Sequence, residues 1–242
     1  MEPLKYVGVS GFVSRAEVDF ALSVLPTGLT LMVGVLASPK SLSGIKNAWH
    51  RRYAAPADIA DVFSPDQRCL NLLHWSDNKS ANAAQMHRLR AIAGPCCHGF
   101  QLNVDSWPLT ADAASEMYDT DIVLQFRPGV SSVSDLVRAV DSLQESRVHV
   151  LFDGSGGRGR TVDMVAAVAS IDEMRSALPS YVHYGVAGGL CAETLGLAIR
   201  PALIENRLSI DAEGRLRDGD EGGTLNLDKV SAYLRAAGEV MQ

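Results

Sequence analysis

The stretch "VLFDGSGGRGRTVD", residues 150 to 163, contains the pattern that decides the fold. A short apolar run ends in an acid, Asp153, glycines follow, and the next segment has apolar residues at helical spacing. A strand, a loop and a helix in this order form the repeating unit of a parallel α/β sheet. The stretch therefore predicts one such unit, with an acidic side chain at the carboxyl end of its strand.

The same unit recurs along the chain, and we count eight copies. The predicted strands cover residues 6–9, 29–36, 69–74, 99–104, 121–126, 148–152, 182–186 and 208–210. The predicted helices cover residues 15–25, 56–63, 81–93, 110–118, 133–144, 162–178, 192–199 and 226–239.

Eight units in 242 residues favour a single closed (β/α)8 TIM barrel over residues 1–242. An open sheet of eight parallel strands usually needs more chain for its edges. The least regular connection, "SLSGIKNAWHRRYAAPAD" at 41–58, overlaps an irregular loop at about 44–66 and is interpreted either as a flap or as an ordinary surface loop. In a barrel, we expect function in the loops that follow the strands.

Composition narrows the classes of partner. A net charge of -6 and a pI near 5.5 leave no broad basic surface for a nucleic acid. The cysteines at 69, 96, 97 and 191 are read as free thiols in a reducing compartment, and no apolar run reaches membrane-spanning length. We expect a cytoplasmic protein without a nucleic-acid or membrane partner, and the scattered histidines suggest neither a metal nor another cofactor.

Two glycine-rich turns suggest an anion site. In the first turn, glycines let backbone N–H groups face an anion at the start of a helix, and the residues involved are Gly156, Gly157, Arg158 and Gly159. In "VAGGLCAETL", Gly188 and Gly189 precede the predicted helix at 192–199. The two turns together form one phosphate pocket in this interpretation. In the alternative, the glycines serve only tight strand-to-helix turns.

These motifs resemble those of the phosphoribosylanthranilate isomerases of tryptophan biosynthesis, and the likeness runs through the whole chain. The family's aspartate followed by Gly-Gly-x-Gly-Lys-Thr-Phe-Asp resembles Asp153 with "GGRGRTVD" at 156–163. "GGLxPEN" resembles "GGLCAET" at 188–194, "VGFVFxPKS" resembles "VGVLASPKS" at 33–41, and "VQLHG" resembles "FQLNV" at 100–104. The tail "LNLDKVSAYLRAA" resembles the family's closing helix.

The resemblance implies a (β/α)8 barrel that converts a phosphorylated aminoaldose to an aminoketose. It implies that Asp153 is the general acid, whereas the family's basic cysteine is replaced by Ser10 in "VGVSGF". An unassisted hydroxyl stays protonated far above neutral pH, so Ser10 is a poor general base. Ser10 is then either a group that positions the substrate or a residue that only completes a strand end.

Further departures affect the rest of the family's site. The arginine that faces the anthranilate carboxylate aligns with Ser43, so a cation from the irregular loop, Lys40, Lys46, Arg51 or Arg52, would have to replace it. After strand eight, "IDAEG" at 210–214 replaces "DVSSG". Glu213 would repel a phosphate if it pointed inward, unless Arg215 offset its charge.

Several residues remain as candidates for the base and for ligand contacts. Asp211, His74 and Asp105 are candidate bases, and each could instead be a solvated or structurally hydrogen-bonded group. Asp211 is also counted with Gly214 and Arg127 among the predicted substrate- or phosphate-binding residues. For Arg127, an ordinary surface position is an equal alternative.

Three functions are consistent with the sequence. The first is an isomerase of a phosphorylated aminosugar with Asp153 as acid and a base other than cysteine. The second is a lyase or aldolase on the same barrel, and the third is a non-catalytic protein that binds a phosphorylated ligand. In each case we expect a small phosphorylated sugar-type ligand and a monomer or homodimer.

Overall fold

The computed structural model describes residues 5–45, 49–77, 82–104, 111–143, 146–155, 161–196, 199–219 and 222–241. Eight parallel strands close into a barrel in chain order, and β1 pairs with both β2 and β8. This confirms the predicted (β/α)8 fold. The strands are β1 (Tyr6–Ser10), β2 (Thr30–Ala37), β3 (Cys69–Asp77), β4 (Gly99–Val104), β5 (Asp121–Phe126), β6 (Arg147–Asp153), β7 (His183–Ala187) and β8 (Ser209–Ala212).

Helices surround the barrel. They are α1 (Arg15–Val24), α2 (Pro39–Leu42), α3 (Ile59–Val62), α4 (Ala83–Ala93), α5 (Ala111–Ser115), α6 (Val133–Ser142), α7 (Met164–Ala177), α8 (Arg200–Glu205) and α9 (Leu227–Met241), with 3-10 turns at His50–Arg52 and Gly214–Leu216. Side-chain caps fix several starts: Ser14, Asn82 and Asp163 accept backbone N–H bonds from the first turns of α1, α4 and α7.

Strand alternation divides the core into two parts. One face of each strand packs outward against the helices in a large apolar cluster. The other face fills the barrel with a smaller cluster that contains Tyr6, Met32, Leu70, Leu72, Val123, Leu151 and Ala187. Because side chains at every second position share a face, the next inward positions toward the carboxyl ends lie directly above this apolar layer.

Two predicted helices differ from the structure. The predicted helix at 192–199 is wrong, because the described residues 192–196 form a turn and α8 begins only at Arg200. Thr194 stabilises this turn: its hydroxyl accepts a bond from the N–H of Cys191 at 2.8 Å and lies 3.1 Å from the carbonyl of Gly189. The predicted helix at 56–63 is reduced to the single turn of α3. The short helix α2 after β2 was not predicted.

A buried arginine shapes the turn after β1. Gly11 has a φ of +91°, and a Cβ at this position would lie 1.8 Å from Nη2 of Arg217. Arg217 is 1% exposed, and its Nη2 donates to the carbonyls of Ser10 at 3.2 Å and Gly11 at 3.3 Å. Only glycine has both the backbone freedom and the space that this turn requires.

Two further observations concern the cysteines and the lengths of the helices. All four cysteines are free thiols, as predicted. Within the described ranges, the helices are too short or too polar to cross a lipid bilayer.

Candidate active site

A ring of polar side chains covers the apolar interior at the carboxyl ends of the strands. These side chains are polar, yet each is nine-tenths or more buried, and the apolar layer of the barrel interior lies beneath them. The ring contains Ser10, His74, Gln101, Gln125, Asp153 and Asp211. In a TIM barrel, this end carries the functional site.

Asp211 projects from β8 and is held by two neighbours. Ser10 Oγ donates to its carboxylate, at 3.1 Å from Oδ1 and 3.2 Å from Oδ2, and Gln101 Nε2 donates to Oδ2 at 3.3 Å. Burial raises the pKa of Asp211 to about 7, and the charges of Glu213 and Asp153 act in the same direction. The hydrogen bonds from Gln101 and Ser10 oppose this rise. Asp211 therefore exchanges a proton near neutral pH.

Glycines make room for this pair. A Cβ on Gly34, the β2 partner of Ser10, would lie 2.5 Å from Ser10 Oγ, and one on Gly8 would lie 2.8 Å from Oδ1 of Asp211. Ser10 is thus fully buried and bonded to a carboxyl group on the neighbouring strand β8. It is the neighbour that orients a buried carboxyl group.

Asp153 ends β6, where the sequence predicted it. Its Oδ2 accepts a bond from Gln125 Nε2 at 2.7 Å, and its Oδ1 accepts bonds from the backbone N–H of Ser155 at 2.9 Å and from Ser155 Oγ at 2.7 Å. These bonds fix the carboxyl group in one orientation.

The two acids lie at the same level of the sheet, on strands that are separated by one strand, β7. Asp153 is the register partner of Ala187 on β7, and Ala187 is in turn the register partner of Asp211. With strands about 4.8 Å apart, the Cα atoms of the two acids are separated by about 10 Å. The residue between them in the sheet, Ala187, has only a methyl side chain, which is buried in the barrel interior.

His74 lies on the inward face of β3, three residues before the strand ends at Asp77, and is 6% exposed. Neither ring nitrogen meets the geometry of a full hydrogen bond with any described residue. Burial lowers the pKa of His74, while Glu213, Asp153 and the side chain of Gln125 oppose the shift. The imidazole is consequently neutral at physiological pH.

The irregular loop after α2 contributes a cation to the same end of the barrel. Arg52 is 8% exposed, its Nη1 lies 2.6 Å from Glu213 Oε1, and its guanidinium stacks on the Trp49 ring at 4.5 Å from the centroid. Arg217 Nη2 lies 3.9 Å from the same carboxylate oxygen. Glu213 is therefore compensated by Arg52 and Arg217. From the sequence, Arg215 was the candidate for offsetting this charge.

Only the second of the two predicted phosphate-binding turns lies within the described residues. Gly156, Gly157, Arg158 and Gly159 lie outside the described residues, as do Lys46 and Asp105. Gly188 and Gly189 have φ values of +115° and +59°, and the carbonyl of Gly188 accepts a bond from Val162 N at 3.1 Å. This bond joins the two glycine-rich connections. The turn at 192–194 replaces the helix N-terminus that was expected to supply further N–H donors.

The other predicted residues lie at the same end of the barrel. Arg127 follows β5 and is half-buried, with its backbone N–H on Ser131 Oγ at 3.3 Å. Gly214 begins the 3-10 turn after β8. Sequence reasoning missed Gln101, Gln125, Ser155 and Arg217, and an amide within a predicted strand has no pattern that marks it as a site residue.

We searched the described ranges for groups of three or more His, Cys, Asp or Glu side chains arranged to hold a metal ion and found none. The chemistry that the ring itself offers is proton transfer: two buried carboxyl groups in different environments and a neutral imidazole.

Comparison with known proteins supports the fold. No family model matches the chain, and no curated protein matches it. Among solved structures, TrpF from Jonesia denitrificans, a phosphoribosylanthranilate isomerase, has a TM-score of 0.65 at 16% identity and covers 98% of this chain and 100% of its own. Orotidine 5'-monophosphate decarboxylase from Methanocaldococcus jannaschii has a TM-score of 0.51 at 12% identity, with 97% and 100% covered. The resemblance inferred from the motifs is thereby confirmed as a likeness of fold.

Proposed function

We propose that the chain is an isomerase that converts a phosphorylated aminoaldose to an aminoketose, with phosphoribosylanthranilate as the first substrate to test. The observation that carries this proposal is the pair of buried carboxyl groups, Asp153 and Asp211, on either side of Ala187 at the mouth of a closed barrel. The motif resemblance and the likeness of fold to TrpF support the same reaction class.

The reaction needs one proton delivered and one removed. Asp153 donates a proton to the ring oxygen as the bond from sugar carbon 1 to that oxygen breaks, and the nitrogen lone pair forms a C=N bond. Asp211 then removes the proton from carbon 2. The electrons of that C–H bond form a double bond between carbons 1 and 2, the π electrons of the C=N bond return to nitrogen, and the resulting enol tautomerises to the ketose. Proton count and oxidation level balance within the substrate, so no further reactant is required.

Asp211 is the base in this scheme because Ser10 cannot be. A carboxyl group with a pKa near the working pH combines a useful ionised fraction with adequate basicity, whereas a hydroxyl does not ionise. Ser10 holds the carboxylate by its hydrogen bond and is a positioning residue.

The first experiment measures turnover and ligand binding separately. We expect Asp153→Asn and Asp211→Asn each to abolish isomerisation of phosphoribosylanthranilate, with affinity for a phosphate ester retained. Asp66→Asn is the matched control, since Asp66 pairs with Arg68 on the surface. Wild-type turnover in either site variant would overturn the assignment. Phosphate-ester binding without isomerisation by the wild type, and without rescue of a tryptophan auxotroph, would favour the lyase or aldolase alternative.

A second experiment tests the base. Ser10→Cys restores the thiol found in the family, and we expect little gain in rate because Asp211 already serves as base. A large gain would assign the base to position 10 and contradict the role given to Asp211.

The remaining expectations belong to this proposal. They are a small phosphorylated sugar as ligand, a cytoplasmic location, action in tryptophan biosynthesis, a monomer or homodimer, and neither a nucleic-acid nor a membrane partner. Size-exclusion chromatography with light scattering measures the oligomeric state.

A further inference from the structure

One side-chain hydrogen bond crosses the interior of the barrel. Gln101 lies on β4 and Asp211 lies on β8, and these two strands are opposite each other in the closed order of eight. The amide Nε2 of Gln101 nevertheless donates to Asp211 Oδ2 at 3.3 Å. The interior of an eight-stranded barrel is just wide enough for side chains to fill it. A glutamine that extends from one wall therefore reaches a carboxyl group on the other.

This bond holds Asp211 from a second direction. Ser10 Oγ donates to the carboxyl group from β1, the strand that pairs with β8, and Gln101 donates from the opposite wall. A functional side chain keeps one orientation when neighbouring residues hold it by packing and hydrogen bonds. The two donors together restrict the rotation of the carboxyl group.

Asp211 is the most exposed member of this group of three. It is 6% exposed, whereas Gln101 is 1% exposed and Ser10 is 0% exposed. A ligand at the carboxyl end of the barrel therefore contacts the carboxyl group more readily than the amide or the hydroxyl. Gln101 acts on such a ligand through Asp211.

The surroundings of Asp211 make the ionised carboxylate costly. Ionisable groups that interact with its charge include Glu213 after β8, Asp153 on β6, Tyr6 on β1 and Tyr233 on α9. Burial and the two neighbouring carboxylates raise the pKa of Asp211. Burial and, to a smaller extent, the charge of Asp211 raise the pKa values of both phenols, so the phenols stay neutral.

Hydrogen bonds to Asp211 oppose this cost. A donor that bonds the charged form of a carboxyl group favours that form. Gln101 and Ser10 both lower the pKa of Asp211 in this way, and Gln101 has the larger effect of the two. The bond across the barrel therefore matters for the protonation state of Asp211 as well as for its orientation.

We propose that Gln101 is a positioning residue for Asp211, whose amide N–H reaches across the barrel, holds the carboxyl group in one orientation and favours its ionised, proton-accepting form. This inference rests on the proposed function for the role of Asp211 as the base. The hydrogen bond itself can be tested without a substrate. Methionine is the informative replacement, because it has nearly the size of glutamine but no hydrogen-bond donor.

The first test follows the titration of Asp211 in the ligand-free protein. The 13C signal of its carboxyl group is the one missing from the spectrum of Asp211→Asn, and the side-chain amide signals of Gln101 are those missing from Gln101→Met. In the wild type, we expect both sets of signals to shift with one midpoint, at about pH 7. In Gln101→Met, the midpoint of Asp211 should rise by about one pH unit, the equivalent of one hydrogen bond to a charged group.

Gln67→Met is the matched control for this titration. Gln67 lies in the turn before β3 and is exposed to solvent. The same change of side chain at this position should leave the midpoint of Asp211 where it is in the wild type.

The second test measures the kinetics of phosphoribosylanthranilate conversion. Gln101→Met should lower kcat about tenfold at neutral pH and leave KM within about twofold, because the base is affected and the ligand contacts are not. The acidic limb of the rate profile should move to higher pH, and the rate should recover as the pH rises. A residue that only filled space would change the stability without moving this limb.

A second variant covers the case in which Gln101→Met does not fold. Gln101→Glu keeps the shape of the side chain but places a second carboxyl group beside Asp211. Two carboxyl groups at this distance share one proton, so the later step of the coupled titration should move well above the wild-type midpoint. The amide signals of Gln101 in the wild type require no variant that must fold with an altered interior.

The outcomes separate this inference from the proposed function. If the amide signals of Gln101 do not respond to pH, or if Asp211 titrates normally in both variants, the role of Gln101 is refuted, and an isomerase that remains active stands. If Gln101 and Asp211 titrate together while phosphoribosylanthranilate is not converted, the hydrogen bond across the barrel is supported and the isomerase proposal fails.

Discussion

The hydroxyl of Ser10 lies 3.1 Å from Oδ1 and 3.2 Å from Oδ2 of Asp211, so one proton is shared between both oxygens of a buried carboxylate. The two residues are 201 positions apart in the chain and meet because β1 pairs with β8. A serine that is inert alone is thereby bonded to a carboxyl group whose pKa is raised to about 7.

The first prediction concerns the stability cost of Asp211. Its pKa is raised from 3.8 to about 7 on folding, so the folded state binds more protons between these values and loses stability as the pH rises through this window. Asp211→Asn removes this cost. We expect the variant to melt at a higher temperature than the wild type at about pH 8 and at nearly the same temperature below about pH 4. Calorimetry at both pH values measures the difference, and a less stable variant at pH 8 would contradict the raised pKa.

The second prediction uses Ser10→Ala. Loss of the hydroxyl removes one of the hydrogen bonds that lower the pKa of Asp211, so this pKa should rise further. The acidic limb of the rate profile, which reports ionisation of the base, should shift to higher pH, and turnover at neutral pH should fall about tenfold. Ser155→Ala is the comparison: it removes a bond to Asp153 and should leave this limb in place.

The third prediction compares two glycines. Gly11 and Gly28 have φ values of +91° and +84°, but a Cβ on Gly28 would meet nothing within 4 Å. Gly28→Ala should cost about 1 kcal/mol from backbone strain alone. Gly11→Ala should cost more, since its Cβ also displaces Arg217. Chemical denaturation measures both, and equal losses would show that Arg217 moves aside freely.

The fourth prediction concerns the ion pair that anchors the irregular loop. Arg52→Met leaves Glu213 without its closest cation and should lower stability by about 1–3 kcal/mol, as expected for a hydrogen bond to a charged group. Once Glu213→Gln has removed the charge, Arg52→Met should cost less. A double-mutant cycle measures this coupling, and additive losses would show that the pair contributes nothing.

The fifth prediction is acid sensitivity at the other end of the barrel. The rings of His183 and His149 are tilted by 52° with centroids 5.1 Å apart, and burial, together with the charge of His149, lowers the pKa of His183 to about 4. For a base with a depressed pKa, stability is complete above the unfolded value near 6.5 and is lost as the pH falls toward 4. His183→Gln should flatten the fall in melting temperature across this window. His87→Gln should not.

The strands could be predicted from the sequence because a strand that is buried on both faces is a nearly continuous run of apolar residues. All eight predicted strands lie where apolar runs were found, and β4 and β5 match to the residue. The helices after β2 and β7 were harder to predict. Residues 192–199 have helical spacing, but Thr194 bonds the backbone of Cys191 and Gly189 and closes a turn instead, and such local competition is invisible to periodicity.

The two acids of the candidate site could be predicted from the sequence. Asp153 and Asp211 stand out because a charged residue ends an apolar run. The pairing of Ser10 with Asp211 and of Arg52 with Glu213 depends on barrel closure and on the path of an irregular loop, and neither is encoded in local spacing. Gln101 and Gln125 were missed because an amide within a strand has no distinctive pattern.

Arg217 also bears on biosynthesis. The carbonyls of Ser10 and Gly11 are made 207 and 206 residues before the arginine whose guanidinium binds them. The carboxyl end of β1 therefore lacks this hydrogen-bond partner during synthesis until Arg217 has emerged from the ribosome. A nascent chain that stalls before residue 217 would present an incomplete barrel to chaperones and proteases.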